Sequence, residues 1–137
     1  MRSLSEIQLV DYLVAMLRGE GYRVRTEVST LGQSADVVAV RGRWVTIIEV
    51  KRNHWNRALQ QCRVHEHVAD FICVAIATRG LPPGLLSAAT SSGYGILLFD
   101  AECCTFSWKL APQRNGRVWR PQRLIWAKQL RRVRHAQ

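Results

Sequence analysis

Acidic residues are scarce in this chain. Ten Asp and Glu stand against twenty Lys and Arg, a formal charge of +10. None lies beyond Glu102, where Lys109, Arg114, Arg117, Arg120, Arg123, Lys128, Arg131, Arg132 and Arg134 follow. A tail with no acid of its own cannot neutralise itself, which points to a polyanionic partner. Nucleic acid comes first, and an acidic protein or an anionic membrane surface is the alternative. No apolar stretch approaches the ~20 residues that a membrane helix needs. Glu6, Asp11 and Arg18 break the apolar run near the N-terminus, unlike a secretory signal, so a soluble cytoplasmic protein is expected. Repeats, low-complexity tracts and linkers are missing too. The four cysteines, Cys62, Cys73, Cys103 and Cys104, lack C-x-x-C pairing and have no matching His pair, which excludes a zinc finger. Cys62 and Cys73 sit in apolar patterns and read as small core residues, and free thiols fit a reducing compartment.

What is present suffices for one domain. The chain has 137 residues, 47% of them hydrophobic, and five Trp. An apolar stripe of Ile7, Val10, Leu13, Val14 and Leu17 predicts a helix to about Arg18, ended by Gly19 and Gly21. Tyr22 to Thr30 alternates like a half-exposed strand. Gln33–Arg41 and Arg43–Lys51 predict a hairpin turning at Gly42, buried on both faces. A helix from His54 to Ala69 follows, with Trp55, Ala58, Leu59 and Cys62 inward. Phe71–Ala77 reads as a central strand, and Pro82-Pro83 to Gly93 frames a third helix. Tyr94–Phe99 is a buried strand, Thr105–Leu110 an edge strand, and Pro121–Arg134 a basic helix bearing Leu124, Ile125, Trp126, Leu130 and Val133. The order predicts an α/β fold with a mixed sheet flanked by helices.

Asp36 on the second of these strands, and Glu49 and Lys51 on the third, are charges placed in apolar runs. Residues two apart on a strand share a face, so Glu49 and Lys51 emerge together. An ion taken from water costs several kcal/mol unless paired or bound, so two carboxylates and an amine at strand ends suggest a metal site beside a cation. The bland readings are a turn role for Asp36 and a same-face ion pair for Glu49 and Lys51. Ser3-x-x-Glu6 fits a capping box, which would occupy Glu6. Gln61 reads equally as a solvated helix residue. His54, His65 and His67 have no partner carboxylate at a telling spacing.

From Glu6 to about Asp100 this pattern resembles the PD-(D/E)xK phosphodiesterase superfamily, with its restriction-endonuclease-like fold. Asp36 and Glu49-Val50-Lys51 carry the resemblance, with Ala35 where the family name has proline. The branch it resembles holds Holliday-junction resolvases and recombination exonucleases. There a glutamate on the first helix and a glutamine on the helix after the third strand join the site, which implies Glu6 and Gln61 here. His65 stands where the exonuclease pattern often has tyrosine. The resemblance implies a Mg2+-dependent DNA nuclease of repair, recombination or mobile-element processing, with Mn2+ able to substitute. Asp36, Glu49 and the Val50 carbonyl would hold the metal, and Asp36, Glu49, Lys51, Gln61 and Glu6 would form the catalytic set.

Arg52, Asn53, His54 and Arg57 directly follow the lysine, near enough to touch flanking phosphates. Arg123, Lys128, Arg131, Arg132 and Arg134 on the last helix would add grip, with that helix's apolar residues docked on the core. Trp119 and Trp126 are expected to pack rather than stack on bases. Residues 1–110 would be the nuclease-like core and 111–137 a basic extension packed on it, one domain overall. RNA stays open as a substrate, since the chemistry does not depend on the sugar, and a homodimer is compatible. The competing function is a nucleic-acid-binding module that keeps the fold and cleaves nothing.

Overall fold

The computed structural model describes residues 4–30 and 33–136, with side chains up to residue 128. Leu9, Leu13 and Leu17 recur every four positions and give α1 (Glu6–Gly19) a single buried stripe. The cap of α1 is Ser5. Its hydroxyl accepts from the Gln8 backbone N–H at 3.2 Å, and the Gln8 side chain accepts from the Ser5 N–H at 2.9 Å. Ser5–Gln8 is therefore the capping box, and the Glu6 carboxylate is spared that role. Ser3, the cap expected with Glu6, lies outside the described residues.

One six-stranded sheet follows in chain order: β1 (Arg23–Thr30), β2 (Gln33–Arg41), β3 (Trp44–Lys51), β4 (Phe71–Ile76), β5 (Gly95–Asp100) and β6 (Thr105–Leu110). β1, β2 and β3 pair antiparallel, β3, β4 and β5 parallel, and β6 antiparallel at the far edge. α2 (Trp55–Arg63) and α3 (Pro83–Ser92) are the parallel crossovers, and α4 (Arg120–Ala136) comes last. This is a mixed α/β sheet flanked by helices. Leu9, Leu13 and Leu17 of α1 cover one face, packed on Val37, Ile48, Ala75 and Leu97. The other face meets Ala58 and Cys62 of α2, Leu85 and Ala89 of α3 and Trp126 of α4.

The first two strands change face partway. Tyr22 and Val24 pack on the α1 side, but Val28 packs on the α2 side. In β2, Val37 and Ala39 face α1 while Ala35 joins the α2 side, against strict alternation. Pairing skips one position there, between Thr26↔Val37 and Val28↔Ala35, which leaves Glu27 opposite Asp36. Glu27 has φ of 52°, a left-handed backbone that costs a non-glycine residue about 1 kcal/mol or more. The single alternating face expected for Tyr22 to Thr30 is thus two half-faces joined by a twist.

α2 ends at Arg63 rather than at Ala69. Its last turn tightens, with His65 N–H on Cys62 O and Glu66 N–H on Arg63 O, and the chain turns to carry His65 inward. In α4 only Trp126 reaches the core among the described side chains, where its Nε1 donates to Ser29 O at 2.9 Å. Leu124 and Ile125 stay exposed, because three consecutive helix residues cannot all face one side. Trp119 is exposed as well, so packing accounts for Trp126 alone of the two tryptophans.

Candidate active site

The β2–β3 ladder runs from Arg41↔Trp44 to Val37↔Ile48 and stops. One step further would set Asp36 against Glu49. There Asp36 Oδ2 accepts the Val50 backbone N–H at 2.8 Å, so a carboxylate satisfies a donor that the ladder leaves unpaired. Glu49, in phase with Val45 and Ile47, turns to the α2 face and is buried. The two carboxyls act on one another, each being among the causes that shift the other's protonation.

Burial, reinforced by the Glu49 carboxylate, pushes Asp36 up to about 6, against the pull of the Val50 N–H and Lys51. Glu49 is raised as well, by burial first, while Asp36 and Lys51 hold it back and Glu6 adds to the rise. Two acids in this state call for a proton or a cation between them. Lys51 Nζ lies 3.9 Å from Glu6 Oε1, with the lysine side chain 15% exposed. Gln61, half-buried on α2, has a buried Oε1 with no hydrogen-bond partner among the described residues. Asp36, Glu49, Lys51 and Glu6 therefore interact in one place.

Sequence reasoning passed over His65. Its Nε2 lies 2.6 Å from Glu49 Oε1, and its Nδ1 lies 3.0 Å from Thr30 Oγ1. Burial lowers this imidazole to about 4, while the Asp36 charge works the other way. A signal existed, since Ala58, Cys62 and His65 continue one inward stripe at i, i+4 and i+7.

An open groove of about 850 Å³ is lined by Gln33, Ser34, Asn53, His54, Arg57 and Gln61, among others. It adjoins the site through Ser34, two residues before Asp36, and Asn53, two after Lys51. Arg52, Asn53, His54, Arg57 and Lys128 are exposed. Arg123 is not the outward-facing residue expected of the basic helix. Its guanidinium donates to Val68 O at 2.7 Å, Asp70 Oδ2 at 3.1 Å and Arg43 O at 3.3 Å, which ties α4 to the sheet. Asp70 also accepts the Val45 N–H at 2.8 Å. The side chains of Arg131, Arg132 and Arg134 lie outside the described residues.

As a metal site the donor set is sparse but suitable. Among the described residues no group of three His, Cys, Asp or Glu side chains is arranged to hold a metal ion. Asp36 and Glu49 offer two hard carboxylates, and each has one oxygen fixed by a protein donor. Mg2+ is ordinarily bound through one or two carboxylates with water and substrate phosphate, so these residues fit it. Among the described residues no helix is long and apolar enough to cross a membrane.

Among solved structures, a Silicibacter pomeroyi protein of unknown function matches with a TM-score of 0.72 at 20% identity, over 99% of this chain and 92% of that one. An XisH family protein from Nostoc punctiforme matches with a TM-score of 0.56 at 15% identity, over 74% of this chain and 98% of the other. An fdxN element excision controlling factor protein from Anabaena variabilis gives 0.54 at 15%, over 75% and 96%. No protein-family model and no curated protein matches the sequence. At these identities the likeness is one of fold.

Proposed function

We propose that the protein is a Mg2+-dependent DNA phosphodiesterase acting in recombination, repair or mobile-element processing. The observation that carries this reading is the meeting of Asp36 and Glu49 where β2 and β3 part, with Lys51 two residues further along β3. Asp36, Glu49 and the Val50 carbonyl would hold the cation, with Mn2+ able to substitute. Once bound, a divalent cation supplies Lewis-acid neutralisation of the charge that builds on phosphoryl oxygens.

The chain's own residues do the rest. Asp36 and Glu49, as the residues that would hold the cation, would set where the scissile phosphate lies relative to Lys51. Lys51 Nζ donates to a phosphoryl oxygen or steadies the attacking water, and Glu6 keeps that ammonium at the strand end. Gln61 Oε1, buried and without a partner among the described residues, accepts a hydrogen bond from the attacking water or from Lys51. Asn53, His54 and Arg57 line the groove and, with the exposed Arg52 next to them in the chain, meet flanking phosphates, which sets register without reading sequence. Lys128 and the arginines further along α4 extend the basic surface. Arg123 belongs to the packing of α4 instead, because its guanidinium bonds to Val68 O, Arg43 O and Asp70.

The presence of an excision controlling factor among the structural neighbours favours a second reading, in which the fold binds nucleic acid without cutting it. One experiment separates the two: duplex, nicked, flapped and four-way DNA, and single-stranded RNA, each incubated with purified protein and Mg2+, Mn2+ or chelator. Divalent-dependent cleavage that Asp36→Ala abolishes is expected. Binding without cleavage on every substrate sinks the enzyme and leaves the binding module.

A further inference from the structure

We propose that His65 is a positioning residue for Glu49, locked in one tautomer by Thr30, so that the end of the β1–β2 hairpin sets the geometry of the metal-binding carboxylate. The proposal rests on the nuclease reading above. Its basis is a chain of contacts in the interior: Glu49 Oε1 to His65 Nε2 at 2.6 Å, and His65 Nδ1 to Thr30 Oγ1 at 3.0 Å. The His65 and Glu49 side chains are 0% and 2% exposed, so water cannot replace either bond.

The direction of each bond follows from the groups. In the form that would hold a cation Glu49 is ionised and only accepts, so Nε2 carries the hydrogen there. In a neutral ring Nδ1 is then an acceptor, and the Thr30 hydroxyl must donate to it. The competing acceptor for that hydroxyl, Gln33 O, is farther away at 3.4 Å. Thr30 is itself held by its strand. Trp126 Nε1 donates to the carbonyl of neighbouring Ser29 at 2.9 Å, and the face change at Glu27 brings this half of β1 onto the α2 side. Thr30 therefore fixes the imidazole, and the imidazole fixes one oxygen of Glu49. The other oxygen is left for a cation, with less side-chain freedom to lose when one binds.

Partners behind a metal ligand of this kind are typically worth about 10–100-fold in metal affinity. The test is calorimetric titration of Mn2+ into the full chain, with 15N NMR of the His65 ring. His65→Ala should weaken Mn2+ binding about 10–100-fold. His65→Gln, whose amide can still donate to Glu49, should recover part of the loss. Thr30→Val should fall between wild type and His65→Ala, and the wild-type ring should carry its hydrogen on Nε2. A folded His65→Ala that binds Mn2+ like wild type overturns the proposal. Should that variant not fold, Thr30→Val with unchanged affinity and unchanged tautomer does the same. Asp36→Asn separates the two claims. If it loses Mn2+ while His65→Ala keeps it, positioning falls and the nuclease reading stands. If wild type takes up no Mn2+, the nuclease reading falls, and a ring hydrogen on Nδ1 would further show that the imidazole does not anchor Glu49.

Discussion

Asp36 Oδ2 sits 2.8 Å from the Val50 backbone nitrogen, so one side chain both ends a strand ladder and faces a second acid. The two roles have one cause. Strands that part leave an unpaired N–H, and a carboxylate there satisfies it at the cost of being drawn out of water. Glu49 occupies the matching position on β3, and its charge adds to that cost. A divalent cation would relieve both carboxylates together, which is why the fork between β2 and β3, rather than the groove beside it, is the proposed chemical centre.

Asp36→Asn tests this without disturbing the backbone, because an amide oxygen can still accept the Val50 N–H. Asp36 is raised from 3.8 to about 6 in the fold. A raised acid favours the folded state while protonated, so its contribution is complete below the ordinary value and is lost as pH rises through the folded one. Metal-free Asp36→Asn should therefore gain stability relative to wild type between about pH 4 and pH 7. Adding Mg2+ should stabilise wild type alone and narrow the difference. Thermal melts across that range, in chelator and then in Mg2+, give the answer. A difference that stays flat with pH would mean that Asp36 titrates like an ordinary surface acid.

Lys51 is buried along most of its length and meets Glu6 at the strand end. Its removal should be felt in turnover rather than in binding. Lys51→Ala and Asp36→Ala should each lower cleavage by about 10²–10⁴-fold or more, with duplex affinity in chelator unchanged. Single-turnover rates beside filter binding separate the two quantities. Loss of affinity in step with rate would show Lys51 to be a phosphate anchor only.

Much of this was legible from residue order. Alternation and the Pro83 and Gly93 boundaries fixed the elements, and charges in apolar strands marked Asp36, Glu49 and Lys51. What escaped was set by partners distant in sequence. His65 belongs to an inward stripe, yet its meaning depends on Glu49 and Thr30, on two strands packed beside it. Arg123 looked like one more residue of a basic helix, and only the fold supplies Asp70 and the Val68 and Arg43 carbonyls. The face change at Glu27 had no local sign, since glutamate has no preference for a left-handed backbone. The capping box expected at Ser3 and Glu6 is formed by Ser5 and Gln8 instead, because the Gln8 amide reaches back to the Ser5 N–H.

The basic residues should divide by role. Arg57 and Lys128 are exposed, so Arg57→Gln and Lys128→Gln should each lower the slope of log affinity against log salt by about 1 and leave stability alone. Arg123→Gln should do the reverse. It breaks a partly buried pair with Asp70 and frees two carbonyls, costing about 2 kcal/mol of stability with little change in salt slope. Deleting everything from Pro121 onward would confuse the two effects, since Trp126 leaves the core with the tail. Urea melts and salt-dependent binding on the three point variants keep them apart. An Arg123→Gln protein of full stability and reduced salt slope would return that arginine to the nucleic-acid surface.

Gly95 and Gly84 differ in what they press against, and alanine at each should show it. A Cβ on Gly95 would stand 2.8 Å from Pro112 Cδ, 2.9 Å from Cys73 Sγ and 2.9 Å from the Pro112 nitrogen. Two of those atoms belong to a ring fused to backbone and cannot rotate aside, so Gly95→Ala should cost about 1–3 kcal/mol through overpacking in β5. At Gly84 the neighbour is the Trp55 ring, with Cζ2 at 2.9 Å and Cη2 at 3.0 Å. That side chain can yield, and alanine regains up to about 1 kcal/mol of helix propensity in α3. Gly84→Ala should thus lie near wild type in urea. Because Trp55 also lines the groove, its displacement should appear as a change in DNA affinity instead. Equal destabilisation by the two substitutions would show that the Trp55 ring is held as rigidly as the proline.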